Sequence, residues 1–237
     1  MEDAWPVKRF WSEAVAAPAG DHWRVLLDGR PVKTQAGSAQ VVTSAALAAA
    51  LAGEWAAQGP TVNPDSLPLR DLADYAIDVV AADRAAAIAQ LLRYGQTDTL
   101  CYRADPGEPI EARQQAVWEP LLQAAEARWG VQFIRISGVI PAAQPAGTIA
   151  QLERVLAGRS DDDLAALITL SALAASLVLA LSALQPGADV AALWDAAELE
   201  EDWQAEQWGQ DAEAQSRRAR RTASFATAVQ FAQLAGI

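Results

Sequence analysis

The sequence predicts an α+β protein that is mainly helical, with a small β-rich N-terminal domain followed by a larger helical bundle. Two short apolar runs flank the dipeptide Asp28-Gly29, a pattern typical of a β-hairpin. Beyond residue 60, apolar residues recur at helical spacing in several long segments. We therefore predict a β-containing domain over residues 1–60 and a helical domain over residues 61–237.

The composition excludes several classes of protein. Hydrophobic residues make up 52% of the 237 residues, which indicates a folded chain with a substantial core. The net charge of -12 argues against binding to nucleic acid or to an anionic membrane surface, since both require clustered Lys and Arg. The single cysteine, Cys101, cannot form a disulfide within the chain, which is typical of a reducing compartment.

The predicted hairpin lies in the segment WRVLLDGRPVKT, residues 23–34. Asp28 and Gly29 suit the two-residue loop of a type I′ turn. Pro31 has no N–H to donate, so the second strand is expected at an edge of the sheet or to begin late. The segment AQVVT, residues 39–43, predicts a third strand.

A helix is predicted to follow over residues 44–58, with Thr43 as its N-cap. Its apolar side chains recur at four-residue spacing and share one face. The remaining elements are a strand over 131–138 and helices over 71–95, 111–130 with a kink at Pro120, 147–157, 161–184, 189–208 and 211–234.

The uncharged run from Leu164 to Leu184 is long enough to span a bilayer. It is rich in alanine, contains four hydroxyl side chains and has no Lys or Arg close to either end. Ser160 and the three aspartates that follow it suit the start of a helix, and Pro186-Gly187 suits a stop. We therefore predict a buried central helix and no membrane insertion.

No motif for catalysis, cofactor binding or metal binding is evident. The glycines are scattered at turns and form no phosphate-binding loop. His22, the only histidine, cannot build a multi-histidine metal site, and Cys101 lies in an apolar context that favours a buried, inert thiol. Carboxylate pairs are plentiful, which leaves a carboxylate-dependent enzyme as an alternative.

The segment LEEDWQAEQWGQDAEA, residues 199–214, places Trp203 and Trp208 among carboxylates, without any Lys or Arg. On a helical wheel, Trp208 falls on the same side as Trp194 and Glu201, whereas Trp203 falls on nearly the opposite side. One interpretation is that both faces are buried. The other is an interaction surface, on which aromatic anchors provide contact area and carboxylates set orientation. The run RRARR, residues 217–221, is either part of that surface or pairs with the acidic helix.

Seven segments of the chain occur in the order seen in a known protein family. They are WRVLLDGRPVKT, LAGEWAAQG, PLRDLADYAID, LLRYGQTDTLCYRA, RQQAVWEPLL with GVIPAAQP, SLVLALSAL and LEEDWQAEQWGQDAEA. In this respect the chain resembles the assembly chaperones that protect the alpha subunit of F-type ATP synthase, the assembly factor 2 family. The resemblance covers residues 7–221.

The resemblance implies a binding protein and not an enzyme. Such a chaperone holds the free alpha subunit and prevents its aggregation until the beta subunit arrives. The alternatives are the carboxylate-dependent enzyme and a structural oligomerisation module. We expect a protein that is monomeric alone and needs no cofactor. No apolar run precedes Trp11 that could serve as a signal-peptide core, so a bacterial cytoplasmic location is expected, or the mitochondrial matrix for a processed eukaryotic member.

The acidic segment is the predicted partner-binding site. Gly209 is expected to end the helix and to redirect the chain. Glu201 and Trp208 share one face of the helical wheel, whereas Glu206 is turned towards the other side. The predicted partner-binding residues are Glu200, Glu201, Glu206, Trp208, Gly209, Asp211 and Glu213.

Overall fold

The computed structural model describes residues 7–137, 142–209 and 212–236, and the predicted fold class is confirmed. Short strands come first, and helices make up most of the remainder. The described residues group into two compact units. The first comprises the residues up to Asp83 together with Asp161–Ala165 and those from Gln230 onward, and the second comprises the rest. The division into domains at residue 60 stays a prediction.

An antiparallel sheet begins the first unit, with β1 (Ala14–Ala19), β2 (His22–Leu27) and β3 (Arg30–Pro31) in that order. Asp28 and Gly29 connect β2 to β3 with φ angles of 46° and 79°. Both angles are positive, as a type I′ turn requires, so the hairpin prediction is confirmed. β3 lies at an edge of the sheet, as its proline predicted.

Two features of this sheet differ from the prediction. Strand β1 was not predicted, because its sequence AVAAPA contains a single β-branched residue, Val15, and no aromatic residue, the two types that favour strands. The third strand predicted over residues 39–43 is wrong. Val42 forms only an isolated bridge with Trp23, and Ala39 forms one with Lys33. The sheet is completed by β1, on the side of β2 opposite β3.

Helix α1 (Ala45–Ala56) packs against β1 and β2 and buries Leu47 and Leu51, which confirms the predicted apolar face. Thr43 is not its N-cap. The Oγ of Ser44 accepts the backbone N–H of Leu47 at 2.9 Å, so the helix begins one residue later than predicted. Such a cap satisfies one of the N–H groups that the first turn leaves free.

Thr43 and Ser44 also contact parts of the first unit that are distant in sequence. The Oγ1 of Thr43 lies 3.1 Å from the carbonyl oxygen of Ala235 and 3.3 Å from Oδ2 of Asp162. The Ser44 hydroxyl donates to the carbonyl oxygen of Leu234. The residues near position 235 are therefore held beside the start of α1, so the first unit contains segments from both ends of the described chain.

The single helix predicted over residues 71–95 is wrong. Helix α2 (Pro68–Tyr75) passes into a π turn (Ala76–Val80), and α3 (Arg84–Gln96) begins after a short break. The π turn adds a residue per turn and so changes the direction in which the following side chains point. The Glu54 carboxylate caps α2 by accepting two of its first backbone N–H groups, at 2.7 and 2.9 Å.

Seven further helices follow, and three of them lie close to their predicted bounds, those over 111–130, 147–157 and 211–234. The first of these continues through Pro120, and a kink there stays a prediction. The seven are α4 (Pro109–Trp129), α5 (Ala146–Ala157), α6 (Asp161–Ala174), α7 (Leu177–Ala183), α8 (Val190–Ala197), α9 (Leu199–Trp208) and α10 (Ala212–Ala235).

The strand predicted over 131–138 is much shorter in the structure, and residue 138 lies outside the described residues. β5 (Ile136–Ser137) pairs in parallel with β4 (Tyr102–Arg103). Before β5, side chains take the place of a partner strand, because the Glu126 carboxylate accepts the N–H of Phe133 at 2.8 Å and an amide side chain accepts the next N–H.

The single helix predicted over 161–184 is broken at Ala175, whose φ angle is 48°. Ser176 caps α7 through its side chain, and the buried Asp98 carboxylate accepts the N–H of Val178 at 2.9 Å. Two helices therefore replace the one predicted. Most apolar side chains of both are buried, as expected, although Ala172 is exposed and Leu173 is half-buried. Within the part of the chain that the structure describes, no helix combines the length and the apolarity that crossing a membrane requires.

Candidate functional site

The acidic segment lies on α9, which is separated from α8 by Glu198. The single helix predicted over 189–208 is therefore wrong, and so is the wheel that placed Trp194 and Trp208 on one face. Trp194 is 4% exposed, whereas Trp208 is 80% exposed. Trp203 is half-buried. The break at Glu198 thus separates a tryptophan of the core from one that faces solvent.

Trp194 packs inside the second unit. Its ring lies 5.0 Å from the ring of Phe225 on α10, and the guanidinium of Arg221 lies 5.4 Å above it. The neighbouring Trp118 of α4 donates its indole N–H to the carbonyl oxygen of Ala196 at 2.8 Å. These contacts fix the end of α8 and hence the point at which α9 begins.

Two arginines of the basic run pair with the acidic helix. An Nη of Arg218 lies 2.9 Å from Oδ2 of Asp202, and one of Arg221 lies 2.9 Å from Oε1 of Glu201. The hydrogen bonds that Arg218 donates to Asp202 raise the pKa of Arg218. Of the two interpretations of residues 217–221, intramolecular pairing is confirmed for these two arginines.

The opposite side of α9 is held by α4. Nη1 of Arg113 lies 2.8 Å from both carboxylate oxygens of Glu206. Gln114, which is buried, donates to Glu200 at 2.7 Å and accepts the backbone N–H of Ala104 at 2.8 Å. As predicted from the helical wheel, Glu201 and Glu206 face different neighbours, and α9 is held between two helices.

Glu198 at the junction is 1% exposed. Nη2 of Arg221 lies 3.1 Å from its Oε1, although neither carboxylate oxygen has a partner in hydrogen-bond geometry among the described residues. Burial raises the pKa of Glu198 to about 7, the nearby Glu201 carboxylate acts in the same direction, and the arginines 221 and 218 oppose the rise. No local pattern in the segment indicates that this carboxylate, rather than its neighbours, is the buried one.

A cleft of about 610 Å³ lies between α9 and α10. Trp208 and Gly209 line it on the side of α9, and Arg217 lines it on the side of α10. Gly209 ends α9 with φ 80° and ψ 174°, a conformation that only glycine adopts readily, so its predicted role is confirmed. The cleft therefore presents an exposed indole beside guanidinium groups.

The predicted site residues divide into three groups. Glu201, Trp208 and Gly209 line the cleft, whereas Glu200 and Glu206 face α4. Glu213 is exposed and pairs with an arginine one turn further along α10, at 3.0 Å. Asp211 lies outside the described residues. Their role in binding a partner stays a prediction.

Several residues that shape this surface were not predicted. Asp202 stands in the acidic segment and could have been included from its position alone. Arg113 and Gln114 are more than eighty positions away from their α9 partners, so no local pattern indicated them. Cys101 is buried, and burial raises the pKa of its thiol, which suits an inert side chain. Across 7–137, 142–209 and 212–236, no three His, Cys, Asp or Glu residues group closely enough to hold a metal ion.

Comparison with known proteins identifies the family. The family model described as ATP12 chaperone protein matches residues 8–126, half of the chain. The chain belongs to the ATP12 chaperone family. The crystal structure of Atp12 from Paracoccus denitrificans is 33% identical, with a TM-score of 0.91, and the match covers 97% of this chain and 98% of that one. The Atu1473 protein from Agrobacterium tumefaciens is 38% identical, also with a TM-score of 0.91, over 95% of this chain and 85% of that one. The family inferred from the seven ordered segments is confirmed.

The two tryptophans of this ATP12 family member should differ sharply in their effect on stability. We expect Trp208→Ala to change the free energy of unfolding by less than about 0.5 kcal/mol, because the ring is exposed. Trp194→Ala should lower it by about 3–5 kcal/mol, because a buried ring leaves a cavity. Urea denaturation measures both values. A large loss for Trp208→Ala would show that its ring is buried.

The raised pKa of Glu198 predicts a pH-dependent difference between this protein and its Glu198→Gln variant. The folded state binds the proton more tightly than the unfolded state, so the contribution of Glu198 to stability falls as pH rises from about 4.5 through about 7. Glutamine does not titrate. The free energy of unfolding of the variant, relative to the parent, should therefore rise by about 1–3 kcal/mol between pH 5 and pH 8.

Urea denaturation at the two pH values measures this change. Glu200→Gln is the matched control, since it makes the same change at an exposed carboxylate two residues away. A Glu198→Gln difference that is independent of pH would contradict the assignment.

Proposed function

We propose that this ATP synthase assembly chaperone binds the free alpha subunit of F-type ATP synthase and prevents its aggregation until the beta subunit takes its place. Family membership supports the general role. We propose that the alpha subunit is bound at a site that we call the acidic surface. We use that name for Glu200, Glu201, Glu206, Trp208, Gly209, Asp211 and Glu213.

The observation that carries the proposal is the exposure of Trp208. A side chain of this size that is 80% exposed leaves a large apolar area in contact with water. Tryptophan is among the residues that most often provide binding energy in protein interfaces, because burial of its ring gains much contact area. Gly209 directly after it turns the chain away, so the ring stands at the end of a helix and is accessible to a partner.

The carboxylates around Trp208 are already oriented. Arg113 holds Glu206, and Arg221 holds Glu201, each at 2.8 or 2.9 Å. Glu206 is about half exposed, so it can accept a further hydrogen bond from a basic side chain of the partner. Charged groups that are held in place give orientation and speed of association more than affinity. This combination suits a contact that must form reversibly.

Release does not require a nucleotide in this proposal. A subunit without its partner exposes an apolar interface and is prone to aggregate. A chaperone that binds this surface lowers the concentration of the free subunit by mass action. When the beta subunit binds the same surface more tightly, the chaperone leaves.

The structure favours binding over the carboxylate-dependent enzyme. That alternative requires two carboxyl groups with raised pKa in one pocket. Among the described residues that line the α9–α10 cleft, Glu201 is the single carboxylate, and it stands with three arginines. Glu198, whose pKa is raised, is buried outside that lining. For the oligomerisation module, light scattering of the pure protein is decisive, since that alternative requires a dimer or larger assembly through Trp208.

We expect the protein to keep a separately expressed alpha subunit soluble and to release it when the beta subunit is added. The measurement is turbidity of the alpha subunit during dilution from denaturant, with and without an equimolar amount of the chaperone. Size-exclusion chromatography then follows the transfer to beta. An unchanged time course of aggregation would rule out the proposed function.

Charge reversal on the acidic surface should weaken the complex without affecting the fold. Glu206→Lys and Asp211→Lys are each expected to reduce the binding free energy for the alpha subunit by about 1–3 kcal/mol if the contact is desolvated, and by less at the rim. Calorimetric titration measures this. The melting temperature of Glu206→Lys should stay close to the parent value, because the partly exposed ion pair between Glu206 and Arg113 contributes little to stability.

Glu153→Lys on α5 is the matched control, because it makes the same change at an exposed carboxylate outside the acidic surface. It should leave the affinity unchanged. Full affinity of both acidic-surface variants would show that the segment is only a solvated face.

A further inference from the structure

The first unit contains an apolar groove that is distinct from the acidic surface. It has a volume of about 440 Å³, and its lining includes Val7, Phe10, Trp55 and Val62. We call it the N-terminal groove. Phe10 is 65% exposed and Val7 is 61% exposed, which makes them two of the most exposed large apolar side chains among the described residues. An exposed apolar groove of this kind is typical of a binding site.

The backbone holds these exposed side chains in place. The N–H of Val62 donates to the carbonyl oxygen of Val7 at 2.9 Å, and the N–H of Arg9 donates to that of Pro60 at 2.9 Å. The side chain of Arg9 donates in turn to the carbonyl oxygen of Trp11 at 3.0 Å. The segment is thus paired with a neighbouring strand-like segment, and its apolar side chains are preorganised for contact.

Three aromatic rings in edge-to-face contact form the floor of the groove. Trp11 contacts Phe10 and Trp55 edge to face, with ring centroids 5.1 and 5.3 Å apart. The guanidinium of Arg70 lies 5.9 Å above Trp55, and its charge is balanced by aspartates, the nearer at 3.4 Å. Edge-to-face packing leaves ring surfaces that an added apolar side chain can cover.

The groove is also lined by exposed cationic side chains. Arg30 and Lys33 line it and are exposed, and neither forms an ion pair with a carboxylate of the described residues. Although the whole chain has a net charge of -12, three of the described residues that line the groove are cationic, Arg30, Lys33 and Arg70, and none is a carboxylate. Its charge therefore complements a ligand that is acidic, the opposite of what the acidic surface attracts.

The groove is formed by segments of the family resemblance that do not contribute to the acidic surface. Residues 30–34, Trp55 and Arg70 belong to three of the seven segments in which the chain resembles its family. They all lie within residues 8–126, which the family model matches, whereas α9 lies beyond it. Pro31 removes an N–H donor from the edge strand β3, so recognition here depends on side chains more than on the addition of a strand.

We propose that the N-terminal groove is a second docking surface, which takes an extended segment of a client protein with large apolar side chains flanked by carboxylates. The apolar side chain packs against Phe10 and Trp55, and the carboxylates pair with Arg30 and Lys33. The inference rests on the proposed function only in that the segment belongs to a client, and the experiment below uses no alpha subunit.

The test is fluorescence anisotropy with two labelled heptapeptides and the full chain. One has the order Glu-Asp-Leu-Phe-Leu-Glu-Asp, and the other replaces every acidic residue with lysine. The acidic peptide should bind about tenfold or more tightly to the parent protein than to the variant that combines Arg30→Glu with Lys33→Glu. Phe10→Ser should also weaken binding of the acidic peptide, because it removes the exposed ring.

Matched controls make the same changes elsewhere. Arg93→Glu combined with Arg154→Glu, and Ile134→Ser at a side chain that is 42% exposed, should leave binding of the acidic peptide unchanged. Thermal unfolding checks that every variant is folded. Glu206→Lys should also bind this peptide normally, so failure of the acidic surface and failure of the groove are separate outcomes. The proposal is overturned if the acidic peptide does not bind, or if the control variants weaken it as much as the groove variants.

Discussion

The guanidinium of Arg221 determines how α9 is attached to the second unit. It lies over the ring of Trp194 on α8, 3.1 Å from the buried Glu198 at the junction and 2.9 Å from Glu201 on α9, and it donates to the carbonyl oxygen of Leu173 on α6. A buried carboxylate without a cation is strongly unfavourable, and Arg221 opposes the rise in the pKa of Glu198 that burial causes. Arg221 of α10 thereby positions α9, where its partner Glu201 lies twenty residues earlier in the sequence.

Helix α9 is held by polar contacts more than by packing. Leu199 is its one buried residue, and the carboxylates of Asp202 and Glu206 pair with arginines of two different helices. Individual exposed ion pairs contribute little, but several of them acting on one short helix restrict its orientation. This arrangement keeps Trp208 in solvent without the support of a hydrophobic core. It also makes the attachment of α9 sensitive to ionic strength, unlike the apolar contacts of α6 and α7.

Local signals were sufficient for some elements and not for others. The hairpin was predicted because Asp28 and Gly29 specify the turn by themselves. The break at Ala175 was not, because Asp98, eighty positions from its partner Val178, caps the helix that follows. The site shows the same division: the acidic segment and the end of α9 at Gly209 were predicted, whereas the cations that orient the carboxylates come from distant helices. Exposure of one tryptophan and burial of another depend on the turn at Glu198, which no pattern in the segment indicates.

The hydroxyl contacts at the start of α1 affect the order in which the two units can be completed during synthesis. Thr43 and Ser44 bind carbonyl groups of residues 235 and 234, and the first unit includes the described residues from Gln230 onward. A ribosome releases the chain from its first residue to its last. The sheet and α1 therefore emerge before the residues from Gln230 onward that complete their unit, and most of the second unit emerges between these two segments. The sheet and α1 thus leave the ribosome before the second unit, yet the unit to which they belong is completed after it.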